Sequence, residues 1–214
     1  MSASRKQILD ALSKARETSE KRNFNQSVEL IINLREVDMK RPENRINLRV
    51  ELPKGTGSRR VLIFASGDLA LRARRAGADG VIEPSELEAL SKDNKEAKKR
   101  LRDYDAFVSE APLMPTVSRV VGRFLGPKGK MPVPVPPEAP IDSILEREKR
   151  VVVLRSRDKP LIQCLVGTED MRAEDIAENI ESVLSNLTRV LKRGAGNIKS
   201  VYIKMTMGES VRLI

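Results

Sequence analysis

The heptapeptide Gly126-Pro127-Lys128-Gly129-Lys130-Met131-Pro132 carries residue types suited to holding an anion. Two glycines permit sharp turns, two prolines fix φ, and two lysines put positive charge on the turn. Such a loop keeps its shape before a ligand arrives. A Gly-x-x-Gly turn clamps backbone phosphates in some RNA-binding modules. Here Gly126 and Gly129 would form the turn and Lys128 and Lys130 the charge, with Arg119 and Arg123 nearby. The same residues also read as a plain structural corner after the largely apolar segment 117–125. Both readings fit the local sequence.

Other chemistry is narrowed by what the 214 residues lack. There is no histidine and one cysteine, Cys164, so Ser-His-Asp and Cys-His catalysis, zinc sites of the usual Cys/His kind and an intrachain disulfide are all excluded. The turn Ala65-Ser66-Gly67-Asp68 lacks both the Gly-x-Gly-x-x-Gly fingerprint and the Gly-Lys-Ser/Thr of a phosphate-binding loop. Asp68 would repel a phosphate, so this turn reads as an ordinary helix cap. The expectation is a non-enzymatic protein with no metal and no cofactor. A formal net charge of +10 and a pI near 9.9 favour a polyanionic partner, since neutralising phosphates releases counterions. Residues 1–10 have no long apolar run and no stretch approaches membrane-spanning length, so the expectation is a cytosolic protein with no signal peptide or membrane span.

The elements that must position these residues follow from hydrophobic period. Residues 4–20 have Ile8, Leu9, Leu12 and Ala15 at helical spacing. Val28, Leu30, Ile32 and Leu34 then alternate with Ser27, Glu29, Ile31 and Asn33, a strand pattern. A second alternation sets Ile46, Leu48, Val50 and Leu52 against Asn47, Arg49 and Glu51. From Arg60 the style changes. The apolar run 61–65 suits a strand buried on both faces, followed by a helix to about Ala76 and a strand at Val81-Ile82. One charged helix over 86–102, a strand over 106–108, a helix or loop over 115–125, an extended proline-rich exit over 132–140 and a short helix over 141–150 come next. The first style returns with strands at 151–154 and 160–166, an amphipathic helix over 173–191, and an alternation over 200–207. There Val201, Ile203, Met205 and Met207 lie on one side, with Ser200, Tyr202, Lys204 and Thr206 on the other.

Neither outer part alone buries enough apolar surface, since roughly 60 residues is near the lower limit for a stable core. The expected architecture is one α+β domain of split β-α-β kind built from both termini, residues 1–60 and 155–214. Residues 61–154 are inserted as a second, Rossmann-like α/β domain with a parallel sheet. The two crossings would act as a double hinge. Ser27, Glu29, Asn33, Arg49, Ser200, Lys204 and Thr206 could then form one polar surface. Such a face is the default for a half-buried sheet, but two features raise its interest. Thr206-Met207-Gly208 ends a strand with a residue that lets another backbone approach, and Phe24 stands between Asn23 and Asn25 where another strand opens. Phe24 fits either the core or a ribose or base. Glu29 can accept from a ribose 2′-hydroxyl or a guanine edge, adding selectivity that lysines cannot.

With these segments in order, the chain resembles the ribosomal protein L-one family. The match runs from Phe24-Asn25-Gln26-Ser27-Val28-Glu29 and Leu52-Pro53-Lys54-Gly55, through Ala76-Gly77-Ala78-Asp79, Asp103-Tyr104-Asp105-Ala106 and Gly122-Arg123-Phe124-Leu125. It continues through Val166-Gly167 and Ala177-Glu178-Asn179-Ile180 to Thr206-Met207-Gly208. The resemblance implies a two-domain protein of the large-subunit lateral stalk whose terminal domain binds rRNA. Residues matching Phe24, Ser27, Glu29, Ser200, Thr206, Met207 and Gly208 would lie at that site, and the loop at Gly126, Lys128, Gly129 and Lys130 would be a second contact. It also implies help for deacylated tRNA leaving the exit site, repression of the protein's own mRNA, a cytoplasmic location and a monomer when free. Asn23, Lys54, Thr168 and Glu209 depart from the bacterial pattern and resemble the archaeal branch.

Overall fold

The computed structural model describes residues 3–57 and 59–214. They fall into two compact units, one comprising Met1–Gly57 with Arg150–Ile214 and the other Ser58–Lys149.

The first unit begins with helix α1 (Arg5–Glu17), which starts where Ser4 and Gln7 form a reciprocal capping box. Its apolar stripe of Ile8, Ala11, Leu12 and Ala15 is buried. Strand β1 (Ser27–Leu34) alternates strictly, with Val28, Leu30, Ile32 and Leu34 inward. It is central in a four-stranded antiparallel sheet, between β8 (Leu161–Thr168) and β9 (Ile198–Met205), with β10 (Ser210–Arg212) outside β9. Helix α7 (Ala173–Val190) and α1 pack behind that sheet, and Ile46, Val50, Leu52, Val152 and Leu154 complete the same core. Strand β10 was not expected; it pairs back on β9 after a turn at 206–209.

Strand β2 (Asn47–Glu51) pairs with β7 (Val151–Arg155) as a separate two-stranded sheet. That pairing draws β7 wholly into the first unit, so the division falls earlier than the expected residue 155. A bulge in β8 opposite Val28 and Glu29 leaves the Val166 carbonyl to the buried Asn179 amide, at 2.8 Å. Asn179 also donates to Gly55 O (2.7 Å) and accepts from Lys54 N–H (3.0 Å), anchoring the segment that leaves the unit.

The second unit is a four-stranded parallel sheet in the order β4 (Gly80–Ile82), β3 (Val61–Phe64), β5 (Ala106–Glu110), β6 (Val133–Val135). Every residue of β3 is buried, as its apolar run requires. Val61 and Ile63 pack with α2 (Gly67–Arg75) and α6 (Ile141–Arg150), while Leu62 and Phe64 pack with α3 (Pro84–Lys92), α4 (Asn94–Arg102) and α5 (Met114–Leu125). Two expectations need correction. The single charged helix over 86–102 is two helices, because Asp93 leaves helical geometry (φ −121°) and its carboxylate caps α4 at Lys95 and Glu96 N–H. The proline-rich exit is not merely extended: β6 pairs with β5 and includes Pro134, which is tolerated because β6 is an edge strand.

Candidate nucleic-acid interface

The site is built on Gln26, which sequence reasoning passed over. Lying between exposed Asn25 and strand β1, it is fully buried. Its Nε2 donates to Ser19 Oγ and to the Glu20 carbonyl, both at 3.0 Å, and its Oε1 accepts from Met207 N–H at 3.1 Å. Its carbonyl accepts from Glu169 N–H at 2.8 Å. One side chain therefore joins the segment before β1 to the turn after β9, and its backbone adds the loop after β8. Asn25 extends the contact by donating to Asp170 Oδ1 at 2.8 Å. The nearby Thr168 hydroxyl and the hydrogen bond from Asn25 hold the Asp170 carboxyl below the usual carboxylate range.

Next to Gln26 the two termini interlock. Ser27 N–H donates to Thr206 Oγ1 (2.9 Å) and Thr206 N–H donates to Ser27 O (3.1 Å). Gly208 packs against Ser19, where a β-carbon would lie 3.1 Å from Ser19 Cβ and 3.2 Å from Met205 Cβ. This close approach admits little beyond hydrogen. Around this knot two large apolar side chains remain in solvent, Phe24 at 51% and Met207 at 56% exposure. Met207 does not lie on the core side with Met205 as the alternation suggested, because β9 ends at Met205 and the turn rotates the next side chain outward.

On the sheet face away from the helices, Glu29 stands opposite Lys204, and Asn33 opposite Ser200. Lys204 Nζ does not reach Glu29; it donates to the Thr206 carbonyl at 2.9 Å. Ser200 is buried and accepts from Asn33 Nδ2 at 2.9 Å, so its hydroxyl is already engaged. Arg49 does not join this face, since β2 pairs only with β7.

In the second unit, the turn Gly126–Pro132 ends α5. Lys130 N–H donates to Leu125 O (3.0 Å), Gly129 N–H donates to Gly126 O (2.9 Å), and Gly129 has φ +72°. This is a Schellman helix stop, which accounts for Gly129 on structural grounds. Lys128 is exposed. Lys130 instead donates to the Tyr104 carbonyl (3.0 Å) and pairs with Asp105 (3.4 Å), so its charge is not at the tip. The Ser66 turn also differs from expectation. Ser66 starts α2 without a side-chain cap; its N–H and Oγ both donate to the buried Glu110 carboxylate at 2.8 Å. An internal carboxylate thus occupies the helix end where a nucleotide phosphate would need to lie.

These features define a basic two-domain α/β protein whose candidate site is a surface of turns, hydrogen-bonding groups and two exposed apolar side chains. A sequence profile of the Ribosomal protein L1p/L10e family matches residues 14–209. The chain is 46% identical over 209 residues to the large ribosomal subunit protein uL1 of Methanothermobacter thermautotrophicus, covering 97% of this chain and 99% of the relative. It is also 46% identical over 215 residues to the protein of the same name from Pyrococcus horikoshii, covering 100% of this chain and 98% of the relative. The chain belongs to the Ribosomal protein L1p/L10e family, of the archaeal type, whose members are structural and non-enzymatic. Among the described residues, no helix is long and apolar enough to cross a membrane.

Proposed function

We propose that this protein binds rRNA of the large ribosomal subunit in the lateral stalk near the exit site, in the cytoplasm. It assists release of deacylated tRNA there and represses its own mRNA through a copy of the rRNA site. In this reading the first unit is the split β-α-β domain that binds the RNA and the second is the inserted Rossmann-like domain. The observation that carries it is the knot around Gln26. It holds Phe24, Met207, Ser27 and Thr206 as one pre-shaped surface drawn from both ends of the chain. Glu29 has no ion pair among the described residues, which leaves its carboxylate available to RNA hydroxyl and amino donors. The Lys128 turn is a second, weaker contact.

Charge distribution supports the tRNA partner. The first unit has 23 basic and 16 acidic residues. Segments 35–45, 155–159 and 189–199 account for eleven of the basic and four of the acidic ones, so the whole excess of seven lies there. These segments meet at the end of the unit away from Ser27, where Leu34 pairs with Ile198, Arg35 Nε donates to Gly196 O, and Lys192 reaches Asn44. A near-neutral hydrogen-bonding surface at one end and a basic pole at the other suit two RNA partners.

Footprinting on extracted large-subunit rRNA tests the main reading. One discrete protected structure that outcompetes random RNA at moderate salt is expected. Dispersed protection, lost equally to random RNA, would leave only a charge-held chaperone. A gel shift with the protein's own mRNA tests repression.

A further inference from the structure

We propose that the open face of the four-stranded sheet is a stacking platform for an unpaired RNA base, with Tyr202 as the ring beneath it. The inference rests on the rRNA-binding reading and extends its site from the Gln26 knot onto the strands.

Register sets out this face. Tyr202 stands directly opposite Ile31 on β1 and opposite Arg212 on β10, and Ile31 in turn stands opposite Gln163 on β8. The row is therefore Arg212, Tyr202, Ile31, Gln163, with its two ends polar and exposed and its middle partly exposed. The next row toward the Ser27–Thr206 knot holds Lys204 opposite Glu29, so the platform is continuous with the candidate interface. Tyr202 and Ile31 take no part in the unit's hydrophobic core, which lies on the opposite face with Val201, Ile203, Leu30 and Ile32. The Tyr202 hydroxyl makes no hydrogen bond among the described residues.

An aromatic ring on the solvent side of a sheet leaves apolar area in water unless something covers it. Beside Arg212 and Lys204 on this face, the complementary occupant is a flat, apolar-faced group attached to negative charge, and an unpaired nucleotide is that group. Arg212 at one end of the row can meet its phosphate, while Glu29 and Gln163 can accept from or donate to its edge. A purely structural role for Tyr202, as a cross-strand partner of Ile31, needs the ring's bulk but not its π face.

The composition permits a direct test, because the chain has no Trp and only two tyrosines, Tyr104 and Tyr202. Protein labelled with 3-fluorotyrosine gives two fluorine resonances, which Tyr104→Phe assigns. The probe is the rRNA fragment that the protein protects from nuclease, titrated at fixed salt. The Tyr202 resonance should move on binding. Tyr202→Phe should keep the dissociation constant, and Tyr202→Leu should weaken it about 5- to 100-fold with an unchanged unfolding midpoint. Tight binding with an unmoved Tyr202 resonance and a wild-type dissociation constant for Tyr202→Leu would overturn the platform and leave the rRNA reading intact. If the protein protects no discrete fragment, both fall together.

Discussion

Replacing Gln26 with leucine keeps the side chain's bulk and removes every hydrogen bond it makes. Two donated bonds, to Ser19 Oγ and Glu20 O, and the two that its Oε1 accepts, from Met207 N–H and Ser19 Oγ, are lost. At about 1 kcal/mol net for each bond, less a partial gain from burying an apolar group instead, the cost is about 2–3 kcal/mol. Ser19 and Met207 lie near the surface and can rehydrate, which keeps the loss from being larger. In urea, with a slope of about 2 kcal/mol per molar, the midpoint should fall by about 1–1.5 M. The change should appear in the transition of the first unit, since no bond of Gln26 reaches the second. RNA affinity should fall as well, in conditions where the variant is still folded, because the turn carrying Met207 loses its tether to the segment carrying Phe24. Circular dichroism in urea and a filter-binding titration at one salt concentration read the two effects. A variant as stable as the wild type that binds the protected rRNA fragment equally well would refute the role given to Gln26.

Thr206→Val removes the acceptor for Ser27 N–H and should cost about 1 kcal/mol in urea unfolding, with a parallel loss of RNA affinity, whereas Thr206→Ser should preserve both. Lost affinity at unchanged stability would instead put the hydroxyl directly on the RNA. Gly129→Ala forces a β-carbon into φ +72° and should destabilise the second unit by about 1 kcal/mol, seen as faster hydrogen exchange at Lys130 N–H; wild-type protection there would mean that the helix stop tolerates a side chain. Burial pushes the Cys164 thiol from its ordinary value of 9.0 up to about 12, so it should resist Ellman's reagent in the native protein and react only in denaturant. The unfolded thiol loses its proton first as pH rises, so this group lowers stability by about 1.4 kcal/mol per unit between those two values, and Cys164→Ala should remove that part of the alkaline slope.

Local period was enough to read every strand but β6 and β10, and most helices. Val28, Leu30, Ile32 and Leu34 had to turn inward because side chains alternate along any strand, and the four-residue apolar run of β3 had to be covered on both sides. The cap at Ser4 and the one at Asp93 both went unread, and at Asp93 helical-looking charge on both sides masked the break. Composition alone excluded histidine chemistry and pointed to a polyanion. Period carries no information about partners far along the chain. Gln26 meets Met207 across 181 residues and Ser27 meets Thr206 across 179, so neither pairing leaves a local trace. For the same reason Arg49 could be assigned to the wrong sheet, and Met207 to the wrong side of a strand that had already ended. What only the folded chain decided was which side chains are used up internally, such as Ser200, Lys130 and Thr206, and which remain outward, such as Phe24, Glu29 and Tyr202. The types of these residues are written in the sequence, but their availability depends on hydrogen bonds closed between distant segments.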